Sequence, residues 1–427
     1  MRKVYRARWV MIAPDVWLEN AALHIERNRV NCVTLAQGSS SGDDLGPGVI
    51  MPALVNAHTH LGLSILQDMG QAMNPGGCPS SVSDGPAQNA SGCVPGSKEV
   101  FPRMTRRDGP ISVEGSTRFL SWVRDLIRRR ESFTHEAMRQ AAIDAAFLAK
   151  QSGTGAMVEV GSPELAAEAM RVAGVDGVIC TELLGNRKEL PTLPEAEDGL
   201  TFSYAGHGLH TTDPELLRSA KHAAEKQGQV FSLHLAESSL EMEFLATGKG
   251  PWAELLTERG IDFVSWGPWG ERPVARAARL GLLGGGTLAV HVLHVTRSEL
   301  AELADAGTAV CVCPRSNEAL HGLLPDIEGM RSVGLRPALG TDSLASAPTL
   351  SIFDEMAFVA ARYSELSPEL ILAMGTTWAA AAIGRRNVGS LRAGNRAAAL
   401  YVELDGASPR HVAELLVQGK FERIQWL

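Results

Sequence analysis

The residues best suited to chemistry begin with two histidines at the end of an apolar run. His58 and His60 are two positions apart at the end of residues 54–58, so both imidazoles point to the same side of a strand. Two imidazoles on one face can bind one metal ion, but a histidine is more often a surface residue or a hydrogen-bonded core residue. The pair alone therefore leaves a metal site and a structural role open.

Further residues of the ligand type follow later apolar runs. These residues are His234 and Glu237 after the run that starts at Val230, His291 at the end of residues 287–291, and Asp342 after residues 338–341. In a parallel barrel the carboxyl ends of all strands converge on one rim, so distant residues can surround one ion. Three neutral imidazoles and a carboxylate suit a divalent cation such as Zn²⁺, with a position left for water.

The elements that would position these residues are apolar strands that alternate with amphipathic helices. The predicted strands cover residues 54–58, 156–160, 177–183, 201–204, 230–235, 287–291, 308–313 and 336–340. Helical patterns fall between them, for example over residues 133–150 and 214–227. This alternation predicts an α/β protein with a (β/α)8 barrel.

Short strands at both ends of the chain indicate a smaller companion domain. We predict a discontinuous β-sandwich built from residues 1–52 and 386–427, around a barrel of residues 53–385. Residues 68–111 are rich in Gly, Pro, Ser and Asn, and they interrupt the barrel without an apolar period. A lid over the catalytic face and a disordered insertion both stay open, as does the state of Cys78 and Cys93 within it.

Composition restricts the partners of the protein. The 427 residues are 45% hydrophobic and 21% charged, as in an ordinary globular protein, and the net charge of -8 offers no basic surface to nucleic acid. No apolar run has the length of a membrane span, and Pro14 and Asp15 interrupt the apolar stretch near the N-terminus. We expect a cytoplasmic protein that acts on a small molecule, with homo-oligomerisation left open.

Six cysteines in so long a chain do not predict a disulfide scaffold. Cys311 and Cys313 alternate within a predicted strand that ends before Pro314. Alternation of this kind favours buried core residues over a metal-binding pair.

Taken together, the motifs resemble those of the amidohydrolase superfamily, in its branch of nucleobase and aminopurine deaminases and chlorohydrolases. They are PALVNAHTHL at 52–61, LHLAES at 233–238, HVLH at 291–294, CPRSN at 313–317, LGTDS at 339–343 and VGSLRAG at 388–394. Residues 119–123 and 342–346, with Glu237, Glu241 and Glu243, are most similar to the aminodeoxyfutalosine deaminases of menaquinone biosynthesis. The resemblance implies a metal-dependent hydrolase that acts on C–N bonds.

The resemblance also implies one metal ion. Superfamily members with two ions use a carboxylated lysine at the end of the fourth strand, where this chain has His207 and no lysine. The implied ligands are His58, His60, His234 and Asp342. Zn²⁺ is favoured, although Fe²⁺ and Mn²⁺ accept the same ligands. A bound cation lowers the pKa of water from about 15.7 to roughly 7, and Asp342 would take the proton.

The remaining roles implied by the resemblance concern the substrate. Glu237 would carry a proton to the ring and the leaving amine, unless it is a solvated charge at a helix start. His291 would polarise the water or the developing oxyanion. His210 resembles the histidine that contacts ribose, with a core role as the alternative. Trp122 and Arg315 would contact an aromatic carboxylate, unless they are a core residue and an internal ion pair.

These roles lead to hydrolytic deamination of an aminopurine nucleoside-like substrate, most specifically aminodeoxyfutalosine. Guanine-type or adenosine-type deamination, triazine dechlorination and cyclic amide hydrolysis are alternatives with the same cation. A non-catalytic oligomeric scaffold is a third hypothesis. It predicts that ligands have been lost, whereas this chain retains them all.

Overall fold

The computed structural model describes residues 2–36, 42–73, 113–197 and 199–427. Cys78 and Cys93, with most of the predicted insertion, lie outside the described residues. Residues 68–73 of the predicted insertion belong instead to a helix at Gln67–Met73. Met69 and Gly70 in this helix are buried, and Gly70 packs so closely on the backbone of Leu344 and Ala347 that no larger residue fits. The helix thus depends on a tertiary contact that local sequence does not reveal.

Both ends of the chain form one seven-stranded sheet. Its first five strands are β1 (Arg2–Ala13), β2 (Val16–Glu26), β3 (Arg29–Leu35), β4 (Asp43–Asp44) and β5 (Val49–Pro52). Alternate residues of β1, such as Ala7, Trp9 and Met11, are buried as the pleat requires. We propose that this sheet is the small domain and that the barrel follows Pro52.

Eight parallel strands form the predicted barrel in sequence order. They are β6 (Leu54–Thr59), β7 (Thr154–Gly161), β8 (Asp176–Leu183), β9 (Leu200–Gly208), β10 (Phe231–Leu235), β11 (Thr287–His291), β12 (Ala309–Val312) and β13 (Ala338–Leu339). Cys311 and Cys313 are buried free thiols, which confirms their prediction as core residues. Two further strands, β14 (Ala399–Glu403) and β15 (Arg423–Trp426), complete the terminal sheet in the order β15-β14-β5-β1-β2-β3, with β4 paired to β1.

The first and last barrel strands, β6 and β13, meet beside the predicted ligands His58 and Asp342. A parallel bridge pairs Thr59 with Asp342. The backbone N–H groups of Thr341 and Asp342 donate to the carbonyl of His58 at 3.0 and 3.1 Å. Closure of the barrel therefore places residues separated by nearly 300 positions side by side at its carboxyl rim.

Helices surround the barrel and fill the loops at its ends. They are α1 (Gln67–Met73), α2 (Val113–Arg130), α3 (His135–Gln151), α4 (Pro163–Ala173), α5 (Pro214–Lys226), α6 (Ser239–Thr247), α7 (Pro251–Glu258), α8 (Pro273–Arg279), α9 (Arg297–Asp305), α10 (Pro314–His321), α11 (Ile327–Ser332), α12 (Ile352–Arg362), α13 (Pro368–Met374), α14 (Thr377–Ala382) and α15 (Pro409–Val417). Short 3-10 helices cover Leu61–Leu66 and Val264–Trp266. None of the helices in the described ranges is long and apolar enough to cross a membrane.

The local sequence explains helix α5 well. The side chain of Asp213 accepts hydrogen bonds from the backbone of Glu215 and Leu216, and Pro214 takes the first helical position. Leu217, Ala220 and other apolar residues of one face are buried. The cap and the apolar period together predict this helix within one residue of its observed end.

Candidate metal centre

Three histidine rings converge at the carboxyl rim of the barrel. Ring nitrogens of His58, His60 and His234 lie within 4.8 Å of one another, and the Nε2 atoms of His58 and His234 are 3.2 Å apart. Oδ1 of Asp342 lies 3.7 Å from Nε2 of His58 and 3.6 Å from Nε2 of His60. All four residues are buried. The structure thus brings together all four predicted ligands.

The donor atoms of these residues fit a divalent cation. Nδ1 of His60 donates to the carbonyl of Val160 at 2.8 Å, so the lone pair of Nε2 faces the cluster. Burial lowers the pKa of His58 to about 4 and holds the pKa of His234 well below its ordinary value. Neutral imidazoles are the metal-binding form, and three of them with one carboxylate are a common set for zinc.

Asp342 is held by both of its carboxylate oxygens. Oδ2 accepts hydrogen bonds from Ser316 Oγ at 2.6 Å and Ser346 Oγ at 2.8 Å, while Oδ1 faces the histidines. Burial by itself would raise the pKa of Asp342, but the neighbouring His58, His60 and His291 hold it well below its ordinary range. The carboxylate is therefore ionised and oriented.

The backbone at this rim is strained in a way that suits a functional site. Asp342 and His291 adopt φ values of +58° and +73°, and Ala236 adopts +53°. Such conformations cost about 1–3 kcal/mol each in residues other than glycine, and they persist where surrounding contacts impose them. Here the N–H groups of Leu293 and His294 donate to the carbonyl of Ala236, which ties the ends of β10 and β11 together.

Glu237 lies beside the cluster, between two histidines. Its Oε1 is 3.7 Å from Nε2 of His291 and 3.1 Å from Nε2 of His321. Burial alone would raise the pKa of Glu237, but these two rings lower it to about 2. The side chain is thus an ionised carboxylate that is only partly exposed. Sequence reasoning missed His321, because this residue ends α10 and has no motif of its own.

A second buried glutamate supports the turn that carries Glu237. The carboxylate of Glu241, which is fully buried, accepts hydrogen bonds from the backbone of Ala236 at 3.1 Å and of Glu237 at 2.8 Å. Burial raises the pKa of Glu241 to about 8. The sequence placed Glu241 in a family motif, but only the structure shows this contact.

His291 is oriented by a side-chain amide from helix α10, which follows the neighbouring strand β12. Nδ2 of Asn317 donates to Nδ1 of His291 at 2.9 Å, so the ring proton lies on Nε2, on the side of Glu237. The ring centroid of His291 is 5.2 Å from that of His234. This placement suits a hydrogen-bond donor beside the cation site. Asn317 and Ser316 belong to the CPRSN motif, in which sequence reasoning gave a role only to Arg315.

The three predicted substrate residues have internal partners. His210 is buried, its ring centroid lies 4.5 Å from that of Trp252, and burial with the neighbouring His207 lowers its pKa to about 3. Trp122 donates to the carbonyl of Ala345 at 3.1 Å, close to the Asp342 loop.

Arg315 donates to the hydroxyl of Thr349 at 2.9 Å and lies 3.7 Å from Asp354 and 3.8 Å from Glu355. All three contacts are made by Nη1 of the guanidinium. Roles in substrate binding for His210, Trp122 and Arg315 therefore stay predictions. His294 contributes the backbone bond to Ala236 described above.

Comparison with known proteins agrees with this geometry. An aminodeoxyfutalosine deaminase of Deinococcus radiodurans is 28% identical over 281 residues, which are 60% of this chain and 65% of that protein. A 5-methylthioadenosine/S-adenosylhomocysteine deaminase of Haloarcula marismortui is 26% identical over 81% of this chain and 70% of its own length.

A solved structure shares the fold over nearly the whole length. It is the aminofutalosine deaminase of Helicobacter pylori in complex with methylthio-coformycin, with a TM-score of 0.76 and 17% identity over 99% of this chain and 97% of that one. The family model of the amidohydrolase family matches residues 151–422, which include His234, Glu237, His291 and Asp342. The chain therefore belongs to the amidohydrolase family.

Proposed function

We propose that this protein is a metal-dependent aminohydrolase that deaminates an adenosine-like nucleoside, with aminodeoxyfutalosine as its substrate. The observation that carries the proposal is the partly buried, ionised carboxylate of Glu237 next to a cluster of three histidines and Asp342. The names of the Deinococcus and Helicobacter relatives support the choice of substrate. With that substrate the protein would serve menaquinone biosynthesis.

His58, His60, His234 and Asp342 would hold the catalytic cation, for which Zn²⁺ is favoured and Fe²⁺ or Mn²⁺ are alternatives. When bound, the cation supplies a nucleophile at neutral pH by lowering the pKa of water.

Two carboxylates would transfer the protons of the reaction, and one imidazole would donate a hydrogen bond. Asp342, ionised and anchored through Oδ2, is placed to accept a proton from the attacking water through Oδ1. Glu237, also ionised, can accept the other proton and return it to a ring nitrogen or to the leaving amine. Nε2–H of His291 would donate to the oxygen that develops negative charge. Water and the amine then become a carbonyl product and ammonia.

A second candidate substrate is a 5′-thioadenosine such as 5-methylthioadenosine. The Haloarcula deaminase favours it, because its similarity covers a larger share of this chain than that of the Deinococcus relative. The two substrates share the aminopurine ring and differ at the 5′ substituent, so the proton-handling residues would serve both.

The test is ammonia release by the cation-loaded protein. We expect ammonia from aminodeoxyfutalosine, with a higher kcat/KM than from 5-methylthioadenosine, adenosine, guanine or cytosine. A higher value for one of these would move the assignment within the deaminases. Chloride from a triazine, or a carboxylate product without ammonia, would contradict deamination itself.

A further inference from the structure

One carboxylate oxygen of Glu237 meets two imidazole nitrogens. Its Oε1 lies 3.1 Å from Nε2 of His321 and 3.7 Å from Nε2 of His291. An ionised carboxylate only accepts hydrogen bonds, so Nε2 of His321 carries a proton and donates to Oε1. Among the hydrogen bonds and ion pairs of the described residues, none uses Oε2 of Glu237. Oε1 is therefore held in place, and Oε2 is left for a reacting molecule.

Helix α10 holds Glu237 and its neighbour His291 from one face. Nδ2 of Asn317 donates to Nδ1 of His291 at 2.9 Å, and Nε2 of His321 donates to Glu237. Asn317 and His321 are four positions apart in this helix, so their side chains lie on the same face. Both contacts start from one rigid element, which fixes the position of Glu237 relative to His291.

The ring of His321 is also restricted by a second helix. Its centroid lies 4.5 Å from that of Phe119, a buried residue of α2. The side chain of His321 is only 5% exposed. Phe119 therefore packs on one side of the ring while Glu237 accepts from its edge. A histidine that only packed against Phe119 would not need a donor at Nε2.

We propose that His321 is the positioning residue of Glu237 and makes Oε2 the oxygen through which the proton passes. This inference rests on the proposed deamination. Oε2 accepts a proton from water, and the O–H bond formed there breaks again when the proton passes to a ring nitrogen or to the leaving amine. His321 keeps its own proton throughout, because its Nε2–H only donates a hydrogen bond to Oε1.

Two substitutions separate positioning from packing. His321→Leu removes the donor but keeps an apolar side chain next to Phe119, whereas His321→Gln keeps an N–H donor of similar reach. Loss of a hydrogen bond to a charged group is expected to lower kcat for ammonia release roughly 10- to 100-fold in Zn²⁺-loaded His321→Leu. KM and bound zinc are expected to stay unchanged. His321→Gln is expected to retain most of the kcat of the unchanged protein.

Leu320→Ala is the matched control within the same helix. Leu320 is buried beside His321 in the chain, and its side chain has no hydrogen-bonding group. This variant is expected to lose stability and to keep its kcat. Unchanged kcat in His321→Leu, an equal loss in His321→Gln, or the same loss in Leu320→Ala would each overturn the proposal.

Nitrogen NMR of protein with isotope-labelled histidine tests the contact without a substrate. The ring signals that are absent from His321→Gln identify His321, and its Nε2 is expected to carry a proton at neutral pH. An unprotonated Nε2 would overturn the proposal, because such a nitrogen cannot donate to Oε1. Absence of ammonia from every nucleoside would instead refute the proposed deamination, and the unchanged protein shows that outcome before any variant is compared.

Discussion

Replacement of Ser346 by alanine tests whether the anchored carboxylate of Asp342 is part of a cation site. Ser346 and Ser316 are fully buried, and their hydroxyls both donate to Oδ2 of Asp342, at 2.8 and 2.6 Å. Ser346→Ala removes one donor and leaves a buried charged oxygen with one partner fewer. Asp342 then loses orientation, and protons compete better with a cation for it.

The expected size of the effect follows from that hydrogen bond. A hydrogen bond to a charged group contributes about 1.5–3 kcal/mol. Since about 1.4 kcal/mol corresponds to a factor of ten, cation affinity is expected to fall roughly 10- to 100-fold, the range seen when residues that orient metal ligands are changed.

The assay is a competition between the protein and a coloured chelator for Zn²⁺. Ser203→Ala is the matched control, because Ser203 is a buried serine of β9 whose hydroxyl donates to the carbonyl of Val230 at 2.6 Å. Both variants are expected to lose stability, but only Ser346→Ala is expected to lose cation affinity. Unchanged affinity in Ser346→Ala, or an equal loss in Ser203→Ala, would refute the reasoning.

Three further predictions concern Glu237, Glu241 and Glu355. Glu237→Gln removes the proton carrier, so kcat for ammonia release is expected to fall about 10²- to 10⁴-fold with unchanged cation content. Glu243→Gln changes an exposed glutamate of the adjoining helix α6 and serves as the control. Equal activity of the two variants would contradict a proton-carrying role for Glu237. Glu241→Gln replaces one acceptor of the Ala236 and Glu237 N–H groups by a donor, so the free energy of unfolding is expected to fall by about 1–3 kcal/mol, and kcat is expected to fall as well. Urea unfolding measures the first effect and initial rates measure the second. A variant as stable as the parent would show that these two hydrogen bonds do not support the turn. Burial raises the pKa of Glu355 to about 8, so between pH 4.5 and 8 the unfolded chain has lost a proton that the folded protein keeps. Stability is therefore expected to fall as pH rises through this window, and Glu355→Gln should reduce that slope in urea titrations at pH 5 and 8.

Local sequence patterns were sufficient for the barrel strands. The predicted strand at residues 287–291 coincides with β11 (Thr287–His291), because a short apolar run buried on both faces has few alternatives between two helices. The histidines that follow such runs could be placed on one rim without coordinates, since the carboxyl ends of parallel strands face the same way. The substrate could not be placed similarly, because its contacts come from loops and helices whose positions have no period.

The sequence by itself determined the pair His58 and His60, the later His234 and Asp342, and the kind of fold that unites them. These features follow from periodicity and strand polarity, which are local properties of a chain. Only the tertiary structure showed that Ser316 and Ser346 anchor Asp342 and that His321 reaches Glu237. Those contacts join different elements, so they depend on how the helices pack around the closed barrel.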